Sequence, residues 1–118
     1  MATVHDKGVE AIRIARAAGV RIASGSDLLG PLARDKALEL HLKTQAMTPL
    51  EAVVSVTLTN AELLGIADET GTVIDGRYAD LLVVDGDALA DLRILRDRSR
   101  LALIMRQGRV RKAAYKIV

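Results

Sequence analysis

Asp27 stands directly after the apolar run Val20-Arg21-Ile22-Ala23 and the small residues Ser24-Gly25-Ser26. The carboxyl ends of strands are where α/β barrels carry their reacting groups. A carboxylate there can ligate a divalent cation and take a proton from metal-bound water, whose pKa the cation lowers toward neutrality. The same aspartate could cap the next turn through its side chain, and spacing alone favours that plainer role. His5 and His41 add little: one opens the first helix, the other sits inside the second, and no His-x-His or His-x-x-x-His spacing occurs. A complete metal site is therefore not expected from this chain. Ser24 and Ser26 lack the Gly-x-Ser-x-Gly elbow, and no glycine-rich phosphate loop is present. Gly71, Gly76 and Gly86 read as turn glycines with positive φ. Arg106, Arg109, Arg111, Lys112 and Lys116 form a basic cluster, which reads as charge guarding a strand edge against aggregation.

These residues need elements to hold them. Val9, Ile12 and Ala15 recur near helical spacing between Lys7, Glu10, Arg13 and Arg16, which predicts a helix from about Asp6 to Ala18, stopped by Gly19. Val20 to Ser24 is short and rich in β-branched residues, so it reads as a strand, and helix, glycine turn and strand make half of a βαβ unit. Gly30-Pro31 marks a loop, and Ala33 to Gln45 again has a helical pattern. Thr48-Pro49-Leu50-Glu51 is a capping box with proline at the first helical position. Thr59-Asn60-Ala61-Glu62 repeats the capping logic for a short helix ended by Gly65. After Asp68 strands are expected at residues 72–74, 79–84, 101–106 and 109–112, joined by Asp-Gly and Gln-Gly turns, with a helical turn near residues 90–95. Leu81-Leu82-Val83-Val84 has no polar alternation, so burial on both faces is expected.

With 118 residues there is room for one domain that buries about two-thirds of its unfolded surface. Half of the residues are apolar, but Phe and Trp are absent and only Tyr78 and Tyr115 are aromatic. The core must be aliphatic, and there is no platform for stacking bases or sugars. A net charge of +2 with interspersed signs makes no basic face, so no nucleic-acid partner is expected. The absence of cysteine fits a reducing compartment, and the cytoplasm is the default location. No apolar run approaches the ~20 residues of a membrane helix, and the start of the chain lacks a leader pattern.

The stretch Gly71-Thr72-Val73-Ile74-Asp75-Gly76-Arg77-Tyr78-Ala79-Asp80-Leu81-Leu82-Val83-Val84-Asp85-Gly86-Asp87, read with Gly25-Ser26-Asp27, resembles the C-terminal signature of the metal-dependent amidohydrolase superfamily. Ala46-Met47-Thr48-Pro49-Leu50-Glu51-Ala52, Thr59-Asn60-Ala61-Glu62-Leu63-Leu64-Gly65, Asp91-Leu92-Arg93-Ile94-Leu95 and Ile104-Met105-Arg106-Gln107-Gly108-Arg109-Val110 follow in the family's order. The nearest look is the imidazolonepropionase-like and prolidase-like branch. The resemblance implies an α/β fold, the C-terminal fragment of a (β/α)8 barrel. The last barrel strand and its helices would occupy residues 1–67, and part of the small composite β-sandwich domain residues 68–118. It implies a hydrolase of C–N bonds acting on a small-molecule cyclic amide or dipeptide, with a divalent metal, zinc foremost. Asp27 would be metal ligand and general base. The family's His-x-His pair, carboxylated lysine and later histidines find no match here. The chain alone is therefore expected to be inactive, as a gene fragment or as one partner of a missing N-terminal barrel chain. The alternative is a non-catalytic interaction module that self-associates or pairs with another chain through apolar faces and strand edges.

Overall fold

The computed structural model describes residues 3–114, so Lys116 of the basic cluster lies outside the described residues. Helix α1, Val4–Ala17, opens on a capping box of its own: the Asp6 N–H donates to Thr3 Oγ1 at 3.2 Å, and the Thr3 N–H donates to the Asp6 carboxylate at 2.8 Å. It ends as expected at Gly19, whose φ of 74° lets the Gly19 and Val20 amides return to the carbonyls of Arg16 and Ala15, both at 3.0 Å.

The helix expected from Ala33 to Gln45 is instead a 3-10 segment, Gly30–Asp35, followed by a short α2, Leu38–Lys43. The 3-10 segment buries no residue, so no packed neighbour fixes its pitch, and short helices depend on such packing. The Thr48 capping box forms, and α3 runs Pro49–Val56. The cap expected at Thr59 does not form, because α4, Leu58–Leu63, starts earlier, where the backbone breaks at Thr57 (φ −105°, ψ −91°). Gly65 ends it, as expected, with positive φ.

The strand expected at Val20 to Ser24 is absent. A strand exists by pairing, and among the described residues no backbone group from Arg21 to Leu28 bonds to another backbone group. Residues 72–74 join no ladder either: the Ile74 carbonyl accepts a local turn bond from the Arg77 N–H at 3.4 Å, and Val73 is 82% exposed. The strand expected at 79–84 shortens to β1, Leu81–Val84; β2 spans Leu101–Arg106 and β3 Arg109–Ala113. They form one antiparallel sheet in the order β1-β2-β3. The β2–β3 turn is Gln107-Gly108, both with positive φ, as a two-residue hairpin of this twist requires. Leu82 and Val83 of β1 are 49% and 48% exposed, so the expected burial on both faces is not met: among the described residues no second layer covers them.

Leu40, Met47, Ala52 and Leu92 form the buried core, with Ile12, Ile22, Val53, Ala88 and Leu95 packed around them. Leu92 belongs to a 3-10 segment, Leu92–Arg96, capped by the Asp91 side chain, so residues beyond 68 complete the core of the helical part. Gly71, Gly76 and Gly86 all have positive φ, as expected. At Gly71 there is a second demand, since a Cβ would lie 2.7 Å from Ala61 Cβ. Among the described residues no helix is long and apolar enough to cross a membrane.

Candidate functional site

Asp27 is exposed, with φ 50°, on the loop after Ser24. Aspartate is one of the few side chains that tolerate this left-handed backbone. It borders an open cleft of about 450 Å³ whose other walls include Ser24, Leu28, Glu39, Leu40 and Val56.

With no strand beside it, the approach to Asp27 is held by side chains. Asn60 on α4 acts as a stand-in peptide: its Oδ1 accepts from the Ser24 N–H at 2.8 Å and its Nδ2 donates to the Ser24 carbonyl at 3.0 Å. Glu39 on α2 accepts from Ser24 Oγ at 2.7 Å and from the Gly25 N–H at 3.1 Å, both at Oε1. Lys43, one turn on, is 5% exposed. Its Nζ donates to the Ala23 carbonyl and Ser24 Oγ, each at 2.8 Å, and to Ser55 Oγ at 3.2 Å, and lies 3.1 Å from Glu39 Oε1. Ser55 Oγ in turn donates to the Ala52 carbonyl at 2.6 Å.

A buried charge is costly unless paired and hydrogen-bonded, and here both conditions are met. Burial alone would raise the Glu39 pKa, but the hydrogen bonds from Ser24 and Lys43, the Lys43 charge and the Gly25 amide outweigh it and hold the carboxyl below its usual value. Glu39 is therefore an anion at neutral pH.

His5 is exposed, with its Nε2 3.3 Å from Gln45 Oε1, and His41 lies on α2. Among the described residues no group of three His, Asp or Glu side chains converges to hold a cation. Asp27 supplies carboxylate oxygens from one residue where a zinc site takes three or four protein ligands. The donors of the described residues by themselves do not fit the expected divalent metal. The described part of the basic cluster lies on the β2–β3 hairpin, with the Lys112 ammonium turned back onto the Arg98 carbonyl.

Sequence reasoning found Asp27 and passed over Glu39, Lys43, Ser55 and Asn60. In sequence Glu39 and Lys43 are simply polar positions of a helical pattern, one turn apart. One signal was available: Leu40, Lys43 and Met47 recur at helical spacing, which puts the lysine on the stripe that carries two core residues.

The Amidohydrolase family model matches residues 3–111. An imidazolonepropionase of Thermoplasma volcanium is 34% identical over 56 residues, which are 48% of this chain and 14% of that protein. Among solved structures, one described as an amidohydrolase superposes with a TM-score of 0.88 at 34% identity, over 96% of this chain and 28% of that one. A prolidase solved with N-methylphosphonate-L-proline superposes with a TM-score of 0.84 at 32% identity, over 91% and 26%. The chain thus spans well under a third of the length of each of these relatives, yet nearly all of it is accounted for by them. Since the family model covers nearly the whole chain, the chain belongs to the amidohydrolase family.

Proposed function

We propose that this chain supplies the C-terminal part of a metal-dependent amidohydrolase that hydrolyses C–N bonds of a small cyclic amide or dipeptide. Asp27 is one metal ligand and the proton acceptor for the attacking water. The remaining ligands come from barrel strands that this chain does not contain, and zinc is the metal expected in the completed site. On this reading residues 1–67 carry the last barrel strand position and its helices, and residues 68–118 the closing segment of the small β-domain. The observation that supports it is Asp27: an exposed carboxylate, inside the family match, on a loop whose approach is fixed by three side chains instead of a strand ladder.

The isolated chain is expected to show no stoichiometric micromolar zinc binding by calorimetry and no turnover of dipeptides or cyclic amides. Mixed with a polypeptide carrying the missing strands of a homologous amidohydrolase, it should support hydrolysis. Asp27→Asn should then lower kcat/KM by roughly 100-fold or more, the scale of a lost general base. Turnover by the chain alone, or full activity of Asp27→Asn in the mixture, would overturn the proposal.

A second reading, a non-catalytic module that binds itself or another chain, is favoured by exposed aliphatic residues: Leu63 at 72%, Leu64 at 70% and Val73 at 82% exposure. Light scattering behind size-exclusion chromatography decides it. A mass that rises with concentration supports self-association, and a compact monomer that captures no barrel partner removes the second reading altogether.

A further inference from the structure

We propose that Lys43 and Glu39 are positioning residues for Asp27, an inference that rests on the role given to Asp27 above: the buried ammonium and its carboxylate partner fix the backbone from Ala23 to Gly25, and so the direction from which the Asp27 loop departs.

Every polar contact of the pair serves that short segment or the helix behind it. Lys43 Nζ holds the Ala23 carbonyl and Ser24 Oγ, and Glu39 Oε1 holds the same hydroxyl and the Gly25 amide. A further contact, to Ser55 Oγ, ties the ammonium to α3 and thus to the core. Ser24 Oγ is the hinge of the arrangement, donating to Glu39 and accepting from Lys43.

Stability alone is a poor explanation for such a pair. A buried ion pair replaced as a whole by neutral side chains of similar size is often neutral or better for stability, whereas one that fixes a geometry loses that geometry. A positioning role therefore predicts an effect confined to the loop, and a packing role predicts an effect shared with the rest of the fold.

The test uses the 118-residue chain labelled for NMR, with the double variant Lys43→Met, Glu39→Gln, which leaves no unpaired charge. Amide hydrogen exchange is measured at Ser24 and Gly25, whose N–H groups donate to Asn60 and Glu39, with β2 amides as the reference for global opening, and the carboxyl carbon shift of Asp27 is recorded. Exchange at these two amides should rise about tenfold, the equivalent of one charge-assisted hydrogen bond, while β2 amides change less than about twofold. The Asp27 carboxyl resonance should move, and Lys43→Arg, which keeps the charge and the donors, should restore both signals. Unchanged loop exchange, or loop and β2 amides accelerating by the same factor, overturns the proposal.

If the double variant does not fold, Ser24→Ala is read in the same way, since it removes only the hydroxyl that joins the pair. Neither signal needs substrate, metal or a second chain. Failure of Asp27 in the hydrolysis test and failure of Lys43 in the exchange test are therefore separate results.

Discussion

Glu51 closes the Thr48 capping box and also accepts from Arg16 Nε of α1 at 2.9 Å, so one carboxylate joins two helices. The Arg16 hydrogen bond, followed by those from Thr48, lowers its pKa from 4.5 to about 2. A carboxyl depressed in the folded state contributes stability that is complete above its unfolded value and disappears as pH falls through the folded one. Thermal melts should therefore show a loss of stability between pH 4.5 and about 2, and Arg16→Gln should flatten that part of the profile. Gly71 makes a second prediction. Its φ of 93° and the 2.7 Å approach to Ala61 Cβ mean that Gly71→Ala strains the backbone and crowds α4 together, which should cost about 2 kcal/mol or more in urea unfolding. Both sites differ in how readable they are. The capping box was legible because its partners are three residues apart, and Asp27 because family motifs surround it. The Lys43 cluster was not, because its meaning lies in contacts to Ser24 and Ser55, and Asn60 reaches Ser24 across 36 positions.

The 3-10 segment Leu92–Arg96 acts as a plug between the two parts of the chain, with Leu92 1% exposed among Leu40, Met47 and Ala52. Leu92→Ala should cost about 2–5 kcal/mol, and it should lower amide protection in α2 and α3 as well as in its own segment. Protection loss restricted to residues beyond 88 would contradict that shared core. At this scale helices with local stop signals were legible: Gly19 and Gly65 end α1 and α4 where the sequence places them. The β2–β3 hairpin was legible too, since a Gln-Gly pair sets its register locally. Val20 to Ser24 and residues 72–74 were misread because β-branched composition describes a willingness to pair and not the presence of a partner. The reading of β1 as doubly covered failed likewise, since covering is a property of neighbours.

The molecule as a whole is long and thinly packed. Its extents are 55 × 30 × 29 Å and its radius of gyration is 15.5 Å, against about 13.5 Å for a compact domain of this length. The accessible surface of 8542 Å² exceeds by about a third the roughly 6,200 Å² usual for the mass. Among the described residues six hydrophobic side chains are buried, so much of the aliphatic half of the composition faces outward. On the proposed reading further protein covers that surface, and the Asn60 grip on Ser24 bears on how fast it docks. Because an amide side chain supplies the contacts of a neighbouring peptide, the Asp27 loop already has its shape before anything arrives beside it. Docking then requires no slow rearrangement on this side. In stopped-flow mixing with a polypeptide that supplies the missing strands, the observed rate should climb in proportion to that polypeptide's concentration without reaching a plateau, whereas Asn60→Ala should introduce a concentration-independent phase in which the loop must first find its place.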